Sequence, residues 1–156
     1  MNDTWWVGEE ELDDDQREII ELEANGSHLI IGPPGSGKTN LLLCRARFLA
    51  LGESPNIALL VFTRSLQEFI ISGTQEYSVP KSRIMTSRKW LGDLLYDAGV
   101  DDEVPEKFEQ LRQFLIKKVG ALIKKGAITQ RLDAILLDEA QDYLPEEMRS
   151  CQEVCK

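Results

Sequence analysis

The sequence predicts an α/β fold in which a parallel sheet is covered by helices on both faces. Short runs of continuous apolar residues alternate with longer segments of helical character along the 156 residues. Strands that are apolar at every position are buried on both faces, which is typical of parallel sheets between helical layers. A glycine-rich segment directly after the first apolar run supports the same fold, because open α/β sheets bind ligands at the carboxyl ends of their strands.

The individual elements follow from the apolar runs and from start and stop signals. The predicted strands cover residues 28–31, 57–63, 84–86 and 134–138. An acidic first turn begins the first helix, Gly52 closes the second, and Pro145 opens the last. We expect the helices at residues 13–24, 38–51, 65–71, 87–98, 105–125 and from 145 onwards. The acidic, turn-rich stretch 99–105 is the predicted internal boundary.

Composition limits the possible functions. The net charge of −9 argues against strong non-specific nucleic-acid binding, which depends on Lys and Arg, so any contact with DNA or RNA must use a local site. No apolar run approaches the ~20 residues of a membrane span. The first 15 residues carry seven acids without Lys or Arg, which argues against a signal peptide. We therefore expect a cytoplasmic protein without a membrane segment. We expect Trp5 and Trp6 to serve packing rather than function, and the three cysteines to remain free thiols.

The strongest functional signal is the segment Gly32-Pro33-Pro34-Gly35-Ser36-Gly37-Lys38-Thr39. It fits the phosphate-binding pattern G-x-x-x-x-G-K-[ST], with a predicted strand before it and a predicted helix after it. Glycines let the backbone N–H groups surround phosphates, and the helix N-terminus adds a favourable dipole. The pattern predicts a Mg-ATP site in which Lys38 reaches the β- and γ-phosphates and the Thr39 hydroxyl holds Mg²⁺.

A second signal is the apolar run Ile135-Leu136-Leu137 followed by Asp138 and Glu139. An acidic pair at the carboxyl end of a strand lies where open α/β sheets bind their ligands. We expect Asp138 to support the Mg²⁺ shell and Glu139 to orient and deprotonate an attacking water. A strand followed by Asp-Glu is a weak signal alone, and its pairing with the glycine-rich segment makes it strong.

These residues resemble a known family. Asp138-Glu139-Ala140-Gln141-Asp142 is similar to motif II of superfamily 1 helicases of the UvrD/Rep type, which read D-E-x-Q-D, and residues 32–39 resemble their motif I. Residues 12–17 are similar to their Q motif. The resemblance implies a RecA-like P-loop NTPase fold, an adenine-reading role for Gln16, and catalytic roles for Lys38, Glu139 and Gln141.

Two weaker matches imply contacts with single-stranded DNA. Residues 60–64 resemble motif Ia and residues 86–90 resemble motif Ib, although Arg88 stands where the family usually has His. The implied contacts are Thr63, Arg64, Thr86, Arg88 and Trp90. An Arg and a Trp suit phosphate contact and base stacking. The alternative is that Trp90 is buried on an amphipathic helix with its leucine neighbours.

The resemblance covers only the first lobe of such a helicase. The family continues to a second RecA-like lobe that supplies an arginine finger and further DNA contacts. We therefore expect residues 1–156 to form a single ATP-binding domain with a small helical insertion at about 99–131. This lobe would bind single-stranded DNA weakly and hydrolyse ATP slowly until a second lobe, in the same or another chain, completes it. The alternatives are a stand-alone ATP-binding or regulatory module and an inactive helicase remnant.

Overall fold

The structure is a computed structural model, and it describes residues 9–52, 54–77 and 79–155. Trp5 and Trp6 lie outside the described residues. These described residues form three strands, namely β1 (Ile57–Val61), β2 (Ile84–Thr86) and β3 (Ala134–Leu137). The α-helices of the described part are α1 (Asp14–Ile20), α2 (Lys38–Leu51), α3 (Arg64–Tyr77), α4 (Ser87–Asp97), α5 (Phe108–Lys124) and α6 (Pro145–Val154). Short 3-10 turns lie at Glu9–Glu11, Lys81–Arg83 and Ala140–Asp142.

The three strands form one parallel sheet in the order β2-β1-β3. In the central strand β1, alternate side chains enter two separate cores, because successive residues of a strand point to opposite faces. Ile57, Leu59 and Val61 pack with α1, α2 and α3 in what we call the first core. Ala58 and Leu60 pack with α4, α5 and α6 in the second core. The predicted mixed α/β fold with a parallel sheet and helices on both faces is therefore confirmed.

Local signals account for several helix ends. Asp13 and Gln16 form a reciprocal capping box at the start of α1, whose first turn is acidic as predicted. Helix α2 spans the predicted residues and ends before Gly52, and Pro145 occupies the first turn of α6. Helix α1 ends at Ile20 rather than 24, because the Arg45 guanidinium binds the backbone carbonyl groups of Ile20 and Glu23 at 2.6 and 3.0 Å. Helix α3 runs on to Tyr77, beyond the predicted end at 71.

The predicted strand at 28–31 is wrong. Leu29, Ile30 and Ile31 are 72%, 38% and 85% exposed, and the segment lies outside the sheet. A buried strand requires a neighbour that pairs with its backbone. Both edges of β1 are already paired, with β2 and β3, and none of the described strands pairs with residues 28–31. Just before β3 begins, Leu132 forms an isolated parallel bridge with Cys155.

Two further expectations concern covalent links and membrane segments. The three cysteines form no disulfide in the described structure, as expected. Among the helices of residues 9–52, 54–77 and 79–155, none has the length and apolar character needed to cross a bilayer.

Candidate nucleotide site and a neighbouring cavity

Residues 32–39, called the glycine-rich loop below, turn directly into α2. Gly35 and Gly37 both have φ near +78°, a left-handed conformation that side chains rarely adopt. A Cβ at either position would meet no atom within 4 Å, so the requirement for glycine there is conformational rather than steric. Gly37 is the N-cap residue of α2, which places the positive end of the helix dipole at the loop.

The Lys38 side chain folds back over the loop. Its Nζ donates to the carbonyl oxygen of Gly32 at 3.0 Å and to that of Pro33 at 2.9 Å. These two bonds hold the ammonium group above the first residues of the loop. A positive charge is therefore fixed at the start of the loop that leads into the N-terminus of α2, in an arrangement suited to an anion.

Thr39 joins the glycine-rich loop to the end of β3. Its hydroxyl donates to the Asp138 carboxylate, with Oγ1 lying 3.1 Å from Oδ2 and 3.4 Å from Oδ1. Asp138 is only 6% exposed, and burial raises the pKa of its carboxyl group, while the hydrogen bond from Thr39 acts in the opposite direction. The Glu139 N–H donates to the same carboxylate at 3.1 Å. Two residues predicted to serve one metal ion are thus in direct contact.

Residues 138–142, called the acidic segment below, leave β3 in a sharp turn. Glu139 has φ of 51°, the one positive value among described residues other than glycine, and it is followed by the 3-10 turn Ala140–Asp142. The Glu139 side chain is exposed and accepts a hydrogen bond from the Gln141 amide. The segment therefore presents a carboxylate oriented by a neighbouring amide.

The donor set at this place fits Mg²⁺ bound with a nucleotide. Magnesium prefers oxygen ligands and is usually held by one or two carboxylates together with substrate phosphates and water. Thr39 and Asp138 supply a hydroxyl and a carboxylate within hydrogen-bonding distance of each other. No cluster of three or more His, Cys, Asp or Glu suited to a metal occurs among the described residues. Phosphate oxygens and water usually complete the coordination of such a magnesium ion.

Gln16 has a structural role at the start of α1. Its side-chain oxygen accepts from the Asp13 N–H at 3.1 Å, and its own N–H donates to the Asp13 carboxylate at 2.8 Å. The side-chain amide nitrogen takes no part in these two bonds. Helix α1, which carries Gln16, packs against α2 through the first core.

A cavity of about 240 Å³ lies beyond the carboxyl ends of β1 and β2. It brings together four residues predicted to contact nucleic acid, and we call it the arginine-lined cavity. Its walls are formed by Phe62, Thr63, Arg64, Thr86, Ser87, Arg88, Leu91, Phe108, Arg112, Leu115 and Glu147. Thr63 and Thr86 also accept backbone hydrogen bonds at the first turns of α3 and α4. Arg64 is paired with Glu68 on the exposed surface.

Trp90 is not part of this cavity. It is 3% exposed, packs in the second core with Leu91, Leu94 and Leu95, and lines a different cavity. The structure therefore supports the alternative in which Trp90 is buried on an amphipathic helix.

Sequence reasoning missed several residues of the arginine-lined cavity. Phe62 directly precedes the predicted contacts Thr63 and Arg64, so its place at the end of an apolar strand is a usable signal. Phe108 and Arg112 come from α5 and carry no motif. In the structure Arg88 lies over the Phe108 ring at 5.7 Å, and Arg112 lies over the Phe62 ring at 4.9 Å.

The fold and the candidate site define a mixed α/β protein with a parallel sheet, in which a glycine-rich loop at the start of α2 contacts the acidic end of β3. Comparisons with protein-family models, with curated proteins and with solved structures found no match to this chain.

Proposed function

We propose that this chain is the ATP-binding lobe of a UvrD-like DNA helicase. The observation that carries the proposal is the contact between the Thr39 hydroxyl and the Asp138 carboxylate at 3.1 Å. It connects a glycine-rich loop that fits a phosphate-binding pattern with an acidic strand end that fits motif II. The two signals come from distant parts of the chain, and their direct contact supports a single Mg-ATP site.

Each residue of this site has a chemical role in the proposal. Lys38 provides a positive charge for the β- and γ-phosphates, and the backbone N–H groups of the loop surround them. Thr39 and Asp138 hold Mg²⁺, which supplies neutralisation of phosphate charge when it is bound. Glu139 orients and deprotonates a water molecule, and the amide of Gln141 keeps the Glu139 carboxylate in place.

Single-stranded DNA is the proposed partner of the arginine-lined cavity. Three arginines and two phenylalanines line it, which combines phosphate contacts with surfaces for base stacking. Its volume of about 240 Å³ is below the ~300–1,000 Å³ of pockets that enclose whole small-molecule ligands, so it suits a single planar group such as a base. Because the chain carries a net charge of −9, we expect this contact to be local and weak.

A second RecA-like lobe is the other proposed partner. Leu29, Ile30 and Ile31 expose three consecutive large apolar side chains immediately before the glycine-rich loop. Adjacent exposed apolar residues of this kind are typical of an interaction surface. This observation supports a partner segment that covers residues 28–31, and with it the proposal that the lobe acts as part of a larger assembly.

Calorimetry with Mg-ATP tests the nucleotide site. Lys38→Ala should weaken binding by about ten- to a hundredfold, because a hydrogen bond to a charged group contributes ~1.5–3 kcal/mol. Lys124→Ala, which removes an exposed lysine at the end of α5, is the matched control and should bind as the wild type does. Equal affinities in the wild type and in Lys38→Ala would show that the glycine-rich loop does not hold the phosphates.

A further inference from the structure

Arg112 connects three parts of the molecule. From α5, its guanidinium donates to the Glu147 carboxylate at 2.6 Å and to the backbone carbonyl of Asp142 at 2.7 Å. The same group lies over the Phe62 ring at 4.9 Å. The Arg112 and Glu147 side chains are 14% and 3% exposed, so this ion pair is largely shielded from water. The guanidinium is therefore held in one orientation by two acceptors and a ring face.

The carbonyl that Arg112 binds belongs to the acidic segment. Asp142 closes the 3-10 turn that starts after Glu139, and within this turn the Gln141 amide binds the Glu139 carboxylate. Arg112 thus fixes the far end of a short turn whose near end carries the proposed catalytic carboxylate. A displacement of the guanidinium changes the hydrogen bonding of this turn.

The acidic segment also reaches Phe62 by a second route. Tyr143 follows Asp142 and packs edge-to-face against Phe62, with ring centroids 6.0 Å apart and an interplanar angle of 67°. Phe62 is thus contacted both by Tyr143 and by the arginine that binds Asp142. Phe62, Arg112 and Glu147 all line the arginine-lined cavity.

We propose that Arg112 is a positioning residue that couples occupancy of the arginine-lined cavity by single-stranded DNA to nucleotide binding. This inference rests on the proposed function. A base that enters the cavity removes the remaining solvent contact of the Arg112 side chain, which is 14% exposed, and so further shields its bonds to Glu147 and Asp142. Lower local polarity strengthens these hydrogen bonds and so fixes the acidic segment beside the glycine-rich loop. The coupling is positive and reciprocal, because each ligand must change the affinity of the other by the same factor.

The test is the affinity for Mg-ADP, measured by calorimetry with and without a saturating short oligothymidylate. In the wild type the oligonucleotide should tighten Mg-ADP binding by about fivefold, the lower end of typical coupling between sites. The reciprocal titration, with labelled oligonucleotide followed by fluorescence anisotropy, should give the same factor.

Arg112→Lys keeps the positive charge beside Glu147 but loses the planar group that serves Glu147, Asp142 and Phe62 together. In this variant the coupling factor should fall below about twofold while each ligand still binds on its own. Arg131→Lys, at an exposed arginine outside the cavity, should retain the wild-type factor. A merely structural role for Arg112 would weaken nucleotide binding equally with and without oligonucleotide, and would leave the factor unchanged.

Several outcomes overturn the inference. Wild-type coupling in Arg112→Lys would show that this arginine does not connect the sites. Separate binding of both ligands to the wild type without any coupling would leave the proposed function in place and reject only the inference. Failure of the wild type to bind either ligand would reject the proposed function itself. If Arg112→Lys does not fold, Phe62→Leu makes the same test, because it removes the ring while retaining the Arg112–Glu147 pair, and an unchanged factor there rejects the inference.

Discussion

Replacement of Thr39 by valine tests the contact between the glycine-rich loop and β3. Valine keeps the branched shape of threonine and removes only the hydroxyl, so Asp138 loses the donor that lies 3.1 Å from its Oδ2. The carboxylate is 6% exposed and has little access to water as a substitute. A buried acceptor that loses its donor is destabilising even when no ligand is present.

The expected loss follows from the geometry of the site. A hydrogen bond to a charged group contributes ~1.5–3 kcal/mol. The distance of 3.1 Å exceeds the ~2.7–2.8 Å preferred by hydroxyl donors, and the Glu139 N–H still donates to the carboxylate. We therefore expect the lower end of the range, about 1.5 kcal/mol of unfolding free energy. With a urea slope of ~1–3 kcal/mol per molar, the unfolding midpoint should fall by roughly 0.5–1.5 M.

Urea denaturation followed by circular dichroism, without nucleotide, measures this difference. Thr39→Ser is the control, because it keeps the hydroxyl and loses only the methyl group, and its midpoint should lie near that of the wild type. If valine and serine lower the midpoint equally, the hydroxyl contributes nothing, and the proposed link between the glycine-rich loop and the strand end does not hold.

Three other predictions address single residues, and a fourth concerns the rate of ATP hydrolysis. Gln16→Glu keeps the oxygen that accepts from the Asp13 N–H but lacks the amide donor. This variant should therefore lose preference for ATP over GTP without losing stability. An unchanged ratio of ATP to GTP affinity, measured by calorimetry, would remove Gln16 from the site. Ile31→Thr should alter the unfolding free energy by less than about 0.5 kcal/mol, because Ile31 is 85% exposed. A loss of ~2 kcal/mol of unfolding free energy, measured by urea denaturation, would show that Ile31 is buried. Burial raises the pKa of Cys151 from 9.0 to about 12, so stability should fall as pH rises through this window, where only the unfolded chain has lost the proton. Cys151→Ala should make the denaturation midpoint less sensitive to pH there, and an identical slope would contradict the assignment. Residues 1–156 tested by themselves should hydrolyse ATP slowly, since an arginine finger is worth ~10³–10⁵ in turnover and by the resemblance is supplied by a second lobe. Turnover of many per second that Glu139→Gln abolishes would show that these residues need no second lobe for catalysis.

Local signals made the helices and the glycine-rich loop predictable. Gly52 and Pro145 act on their own backbone, so the end of α2 and the start of α6 could be assigned from the sequence. The pairing of the loop with the strand end was also predictable from the motifs, because Thr39 and Asp138 were both expected to serve one Mg²⁺. The two residues are in contact although residues 28–31 form no strand.

Features that depend on a distant partner could not be predicted. An apolar run at 28–31 has the composition of a buried strand, but pairing requires a neighbour that composition does not specify. Likewise, nothing in the spacing of Arg112 indicates that its side chain reaches Asp142 and Glu147, which follow it by 30 and 35 positions. For Trp90, helical periodicity fitted burial as well as DNA contact, and only the packing of α4 distinguished the two.

The bond between Thr39 and Asp138 joins residues that are 99 positions apart. During synthesis at ~5–20 residues per second, the glycine-rich loop is made about 5–20 s before the carboxylate that anchors it. Throughout this interval β3 has not been synthesised, so the first core lacks Leu136. The exposed apolar residues 29–31 have already been synthesised. Long-range parallel pairing is slow to form. The nascent chain should therefore be most vulnerable to aggregation, and most dependent on chaperones, until the ribosome has translated β3 and the acidic segment.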